Sequence, residues 1–489
     1  MRKTPSTALC FLPLISLIGL LALNVFIFGD NALGGANQLI LLTVAVITAL
    51  IAWRIGYNWK DLEGGIVNSI TVAAPAILIL LMVGALSGTW LLSGVVPAMI
   101  YYGLYVLDPS IFLFACCIIS VVVSISTGSS WTTSATVGIA LMGIGTALGF
   151  NPAMVAGAIL SGAYFGDKMS PLSDTTNLAS AIAGTDLFTH IRYMTITTGP
   201  SILIALIVFI VLGLGAHGES SDTGAIRQAL AETFNLSPVL LLAPVGVIAM
   251  ILKRVPALPA LVAGAILGAL LAVVFQRELL TTLAEQGQLT RLPGYAVVLT
   301  AFFGDTTITT GNDVADELLS SGGMAGMLNT IWLILCAMIL GGVLEAAGFL
   351  QAITAAITKK VHSAAQLIAA TTGTSLFTNI TASDQYLAII VPGQMYRQAY
   401  QRQGLRPQNL SRTLEDSATV TSVLIPWNTC GAFHASVLGV ATLSYLPFAV
   451  FCYLSPLMTL ACAFTGFKLA RCAPVEENSE VEQSASVAR

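Results

Sequence analysis

The sequence predicts an all-α polytopic membrane protein of about 12 to 14 membrane-embedded segments, in two inverted repeats with broken helices or re-entrant hairpins. Three observations lead there. Of 489 residues, 56% are hydrophobic and 9% charged, against roughly 25% charged in a soluble domain. Apolar runs of about 15 to 25 residues recur from end to end, the length a helix needs to cross a bilayer. Four clusters of hydroxyl, amide and carboxylate residues interrupt those runs, and several runs are too short to span alone. The 44 glycines and 19 prolines fit helices that approach closely, and helices that break where neighbours satisfy the freed backbone.

Taken in order, residues 1–63 read as two N-terminal transmembrane helices. Arg2 and Lys3 precede about twenty largely apolar residues, longer than the roughly 7 to 15 of a secretory signal, and a second run covers 38–56. Residues 64–193 form the first repeat, with runs near 68–93, 110–125, 131–149 and 152–165. Residues 194–321 connect the repeats through runs near 195–215, 238–252 and 256–275. The second repeat, 322–444, has runs near 326–347, 363–376 and 385–396. The run 432–466 then leads into a C-terminal transmembrane helix, 445–472. The acidic tail 473–489, with Glu476, Glu477, Glu480 and Glu482, is expected to be disordered.

The repeat rests on a weak likeness between Lys60–Asn68 and Glu317–Ala325, each leading into a long apolar span. Polar breaks follow at Thr127 and Thr378, then at Pro171 and Pro426, at an offset of about 250 to 260 residues. Lys and Arg gather in cytoplasmic loops. That rule puts Arg2, Lys3, Arg54, Lys60, Lys253, Arg254, Lys359 and Lys360 inside, with Arg397, Arg402, Arg406, Arg412, Lys468 and Arg471. The loops 29–37 and 217–237 are poor in basic residues and fall outside. Both termini are then cytoplasmic, and the two copies start from opposite sides, as inverted halves do.

An Asp near the middle of a spanning helix costs about 2.5 to 3.5 kcal/mol, so each one asks for a reason. The first break, Ser124–Ser134, includes Thr127; it offers hard oxygen donors to an alkali cation, or packs helices through hydroxyls. In the second, Pro171 removes a backbone donor between Asp167 and Asp174. Its alternative is an interfacial helix end, with Asp167 and Lys168 pointing into water and Asn177 capping the next helix. The third runs from Thr378 through Thr381 to Asp384 before an apolar helix, so that Ser383 or Asp384 reads either as a ligand or as an N-cap. In the fourth, Glu415 is expected to pair with Arg412 at the surface, which leaves Asp416 and Asn428 as the intramembrane candidates.

Other classes find little support. The net charge of −4 and the lack of a basic patch exclude nucleic acid. The eight Cys lie mainly in apolar runs with no C-x-x-C pair, so they read as small buried hydrophobes rather than a disulfide framework or zinc site. Of the four His, only His434 adjoins a break, where packing competes with a pH-sensing role. Gly166-Asp167 and Gly304-Asp305 raise an intramembrane aspartyl protease, but Tyr164 and Phe302 stand where the first Gly of Gly-x-Gly-Asp belongs.

The run Gly166-Asp167-Lys168-Met169-Ser170-Pro171-Leu172-Ser173-Asp174-Thr175-Thr176-Asn177 resembles the NhaC-type sodium/proton antiporter family. So do Glu415-Asp416-Ser417 and Pro426-Trp427-Asn428-Thr429, and the likeness covers roughly residues 60 to 470. It implies a multi-pass carrier of the bacterial inner (cytoplasmic) membrane, not an enzyme, working in a lipid bilayer on Na⁺ and H⁺ without a cofactor. A homodimer is compatible with it. The family also includes members that resemble organic-acid or amino-acid carriers, such as a malate/lactate exchanger. A Na⁺- or proton-coupled carrier of that kind is the alternative.

On this reading Asp167, Asp174, Asp384 and Asp416, with Thr127, Asn177, Thr381 and Asn428 as neutral ligands, surround a site near the midplane. A buried carboxylate favours its neutral form and a bound cation favours the charged one, so Na⁺ and H⁺ compete. Rocking of the repeats then gives exchange by alternating access. Lys168 is a countercharge, or snorkels to the interface.

Overall fold

Residues 7–28, 34–215, 223–288, 291–349, 352–353, 361 and 363–472 are described in the computed structural model. The tail 473–489 and Arg2, Lys3, His217, Lys359, Lys360 and His362 lie outside the described residues. Nearly all of the described structure is helical, apart from an antiparallel ribbon of β1 (Thr306–Thr307) and β2 (Ser320–Ser321).

The first part of the chain contributes α1 (Thr7–Phe28), α2 (Ala36–Arg54), α3 (Trp59–Leu92) and α4 (Val95–Val106). Next come α5 (Phe112–Thr127), α6 (130–147), α7 (Pro152–Met169), α8 (Asp174–Ala183) and α9 (Leu187–Gly215). The connecting region holds α10 (Thr223–Thr233), α11 (Leu242–Leu252), α12 (Ala257–Phe275), α13 (Arg277–Gln286), α14 (Pro293–Phe303) and α15 (Asp313–Leu318). The remainder holds α16 (Leu328–Ala346), α17 (Ala364–Thr381), α18 (Gln385–Arg402), α19 (407–422), α20 (Thr429–Leu438) and α21 (Val450–Thr465).

Among the described residues, 7 helices are long and apolar enough to cross a membrane, or up to 9 if each bent pair is one span. The count falls below the expected total because Val95–Val106, Pro293–Phe303 and Val450–Thr465 are short. Of the broken helices, α5 is among those counted, whereas α7, α17 and α18 are not. Helix α3 starts on a capping box, in which the Asn58 side chain accepts from Asp61 N–H and the Asp61 side chain accepts from Asn58 N–H. Its 34 residues give about 50 Å at 1.5 Å per residue, more than the hydrocarbon thickness.

The breaks repeat in register. Helix pairs α5–α6 and α7–α8 are matched by α17–α18 and α19–α20, with starts at 130, 152 and 174 answered at 385, 407 and 429, each 255 residues on. Left-handed backbone at Gly128, Gly149 and Gly184 recurs at Ser383, Gly404 and Gly439, again 255 residues apart. Ser383 adopts φ 59, a conformation L side chains avoid, where its mate is a glycine. Even one hydrogen bond is shared: Ser124 Oγ donates to Ala163 O at 2.6 Å, and Asn379 Nδ2 donates to Ala418 O at 2.7 Å. Contacts between the halves are reciprocal, since α8 packs on α18 and its mate α20 packs on α6, the pattern a two-fold relation produces.

Close backbone approach holds the first half together. Helices α5 and α7 cross where a Cβ on Gly162 would lie 2.2 Å from Cys117 O. Gly162→Val is therefore expected to destabilise the protein by about 1 to 3 kcal/mol through overpacking, read as a lowered melting temperature in detergent. Gly199→Ala, with nothing within 4 Å of the added Cβ, should leave it unchanged or slightly raised.

Candidate functional site

The breaks meet around a cavity of about 680 Å³. Break one contributes Thr127, Gly128, Ser129, Trp131 and Thr132; break two contributes Asp167, Pro171, Leu172, Asp174 and Thr175. The second half adds Asp384, Gln385, Tyr386 and Thr429. The middle of α3, from Val72 to Ile79, and the turn from Ile251 to Ala257 complete the wall, with exposed Arg254 at its edge.

Each carboxylate is held by local chain geometry. Asp167 ends α7 and reaches across to the start of α6, where Oδ2 accepts from Ser130 N–H at 3.1 Å and Ser130 Oγ at 2.6 Å. Its Oδ1 accepts from Ser173 Oγ at 2.6 Å. The N-terminus of α6, positive through its free N–H groups, thus faces a negative side chain. Asp384 does the same for the matching helix α18 from within the chain: it is the N-cap, and Oδ1 accepts from Tyr386 N–H at 2.8 Å and Leu387 N–H at 3.0 Å. The N-cap alternative is what the backbone adopts, and the capping residue also lines the cavity. Asp174 opens α8, is exposed, and accepts from Tyr386 Oη at 2.9 Å. Thr127 is buried at the end of α5. These groups line the walls without closing on a point; among the described residues no three His, Cys, Asp or Glu cluster tightly enough to hold a metal ion.

Four of the candidates lie elsewhere. Asp416 does not join the cavity carboxylates. It sits fully buried in a π turn, Glu415–Thr419, paired with Lys168. Thr197 Oγ1 and Ser455 Oγ each donate to it at 2.8 Å, and Thr459 donates as well. Asn177 is exposed and folds back on break two, donating to Pro171 O at 3.0 Å and Ser173 O at 2.6 Å. Thr381 bonds the Phe377 carbonyl of its own helix at 2.8 Å. Asn428 caps α20 and donates to Asn379 O at 3.1 Å, behind the cavity wall.

Two charges depart from the sequence expectation, and a third, Lys168, takes one of its two alternatives. Lys168 does not snorkel: it is fully buried and donates to Asp416 and, at 2.9 Å, to Ser455 Oγ. Arg412 is buried rather than in a cytoplasmic loop, its guanidinium 4.6 Å above the Tyr193 ring. Glu415 is buried too, and among the described residues it forms no ion pair with Arg412. Both sit on α19, which packs between α17, α18 and α21 instead of meeting water. His434 is packed between the rings of Tyr164 at 5.4 Å and Phe433 at 5.1 Å, while Trp131 stacks on Phe433 at 3.9 Å across the two halves. Asp305 is exposed and does not line the cavity with Asp167, so the two do not form a protease pair.

Sequence reading passed over Ser130 and Ser173 as ligands of Asp167, and it missed Tyr386 as the partner of Asp174. The serines sit inside the polar breaks, which is a signal; the tyrosine follows Asp384 by two, which is not. Thr197, Ser455 and Thr459 lie in apolar helices, and only the four-residue spacing of the last pair marks a shared face.

Broken helices that gather carboxylates and hydroxyls around an interior cavity, in a chain that crosses the membrane many times, define an ion-coupled carrier. The pattern of the Na⁺/H⁺ antiporter family matches residues 162–467. A Na⁺/H⁺ antiporter NhaC of Alkalihalophilus pseudofirmus is 39% identical, over 88% of this chain and 90% of its own length. A malate-2H⁺/Na⁺-lactate antiporter of Bacillus subtilis is 38% identical over 88% and 89%. An arginine/ornithine antiporter, ArcD, of Halobacterium salinarum is 37% identical over 99% and 97%. The chain belongs to the Na⁺/H⁺ antiporter family.

Removing one partner of a buried ion pair leaves an uncompensated charge, at about 3 to 5 kcal/mol, whereas removing both is far milder. Lys168→Met should lower stability on that scale, and Lys168→Met with Asp416→Leu should recover most of the loss. A double-mutant cycle of unfolding in detergent measures it.

Proposed function

We propose that the protein exchanges Na⁺ for H⁺ across the bacterial cytoplasmic membrane by alternating access. The observation that carries this reading is that Asp167, Asp174 and Asp384 face one interior cavity together with Thr127. Family membership supports it. A carboxylate in such a cavity binds either a proton or a cation, so the two ions displace one another. Arg254 at the edge belongs to the basic residues that the positive-inside rule assigns to the cytoplasm, which makes this the inward-open shape. In keeping with that, the second half is inverted relative to the first, both termini are cytoplasmic, and rocking of the halves opens the site to the other side. Each chain holds a complete cavity, so a homodimer would carry two.

The test is Na⁺-dependent collapse of a pH gradient in vesicles. Asp167→Asn and Asp384→Asn each remove a charged partner worth about 1.5 to 3 kcal/mol, so half-saturating Na⁺ should rise about 10- to 150-fold. Asp174→Asn, at an exposed position, should do less. Undiminished exchange in both buried variants would sink the assignment. Competition also sets a sign for pH: as pH falls on both sides, half-saturating Na⁺ should rise while the rate at saturating Na⁺ is recovered.

The size of the cavity favours one further reading, a coupled carrier of a small organic acid or amino acid. At about 680 Å³ it falls in the range of small-molecule pockets, and Arg254 offers an edge for a carboxylate. Uptake of labelled malate, lactate or arginine driven by a Na⁺ gradient would establish it. Pure cation exchange predicts no uptake.

A further inference from the structure

Glu415 belongs neither to the cavity wall nor to the Lys168–Asp416 network. It is fully buried, and neither of its oxygens accepts a hydrogen bond of normal geometry, although the Thr175 and Thr419 hydroxyls lie beside it. Thr175 also lines the cavity. Glu415 is therefore one residue removed from the space in which the cation is proposed to sit.

The charges around it are accounted for. Asp167 and Lys168 of helix α7 act on it through their charge, and its own helix adds Asp416 and Arg412. Lys168 is committed to Asp416 and Ser455, and Arg412 lies over Tyr193. From α9, buried His190 stands near Lys168. The buried faces of α8, α17, α18 and α21 add no Asp, Glu, Lys, Arg or His; their titratable groups are Tyr396, Tyr400, Cys452 and Cys462. An ionised carboxylate buried without hydrogen bonds is costly, and a bound proton removes that cost. Its π turn is a local irregularity of the kind often found at functional positions.

We propose that Glu415 is a proton-binding site of the exchange cycle, separate from the cavity carboxylates that meet the cation. A cation arriving at Asp167 favours the ionised form of Glu415 over the protonated one through a short, poorly screened path. The Glu415 carboxyl group gives its proton to cavity water past Thr175 as the cation binds, and the carboxylate takes one back when the cation leaves. This rests on the exchange reading above, and it adds a proton that the cavity groups alone do not carry.

The test counts protons on purified full-length protein in detergent at weakly buffered, fixed pH. Sodium chloride is added, with choline chloride as control, to wild type, Glu415→Gln and Glu415→Asp. Wild type should release protons; Glu415→Gln should release about one fewer per chain while still binding radioactive Na⁺, and Glu415→Asp should restore the release with a displaced pH profile. Equal release from wild type and Glu415→Gln would overturn the proposal. If Glu415→Gln does not fold, the Glu415→Asp profile decides, and an undisplaced profile overturns it. Wild type releasing no protons with Na⁺ would defeat the exchange reading instead. Titration without Na⁺ then still decides for Glu415, which is a proton site if wild type takes up about one more proton than Glu415→Gln and is not if they match.

Discussion

A helix broken inside a bilayer frees backbone groups that no water can reach, and the protein must satisfy them itself. The rest of this architecture follows from how that is done. Ser170 Oγ donates to Ile125 O at 2.8 Å, and Trp427 Nε1 donates to Ile380 O at 2.8 Å, closing the ends of α5 and α17. Thr176 Oγ1 takes the Lys168 carbonyl at 3.0 Å. Asp167 and Asp384 answer the N–H groups that open α6 and α18. Two of the side chains that repair the breaks, Asp167 and Asp384, thus also line the cavity.

Because the repair is made twice in the same register, the halves share a backbone plan without sharing a chemistry. The position that is Asp384 in the second half is Ser129 in the first, and both are N-caps. The carboxylate for α6 is supplied instead from α7, by Asp167. The next residue, Lys168, spans to Asp416 on α19 and to Ser455 on α21, so one helix end supplies both a cavity acid and the charge pair that ties the first half to the second. The halves also differ in shape: Leu172 is exposed at the cavity, whereas Trp427, its counterpart 255 residues on (172 to 427), is fastened to Ile380.

Much of this was legible in the chain. The helical membrane class and the four breaks follow from composition and from where apolar runs stop, and three of the four candidate Asp residues do share a cavity. The limits have physical causes. Asp416 and Asp167 look alike in sequence, since both stand in polar runs near a Ser, and only tertiary packing decides which of them Lys168 reaches. Arg412 and Glu415 were misplaced because a charged stretch after a loop reads as surface. Their amphipathic helix instead turns that face inward, where Tyr193 covers the guanidinium. Asn177 and Thr381 carry the right atoms, but each spends them on a nearby carbonyl, the local competition that Ser, Thr and Asn always offer.

One oxygen of Asp384 is already occupied by two backbone N–H groups, so an ion bound there as proposed would share the carboxylate with the main chain. A site that captured its guest completely would behave as a reservoir and turn over slowly. Sharing the acid with the main chain would shorten the stay at such a site, and brief residence is what lets a transport protein load and unload at speed.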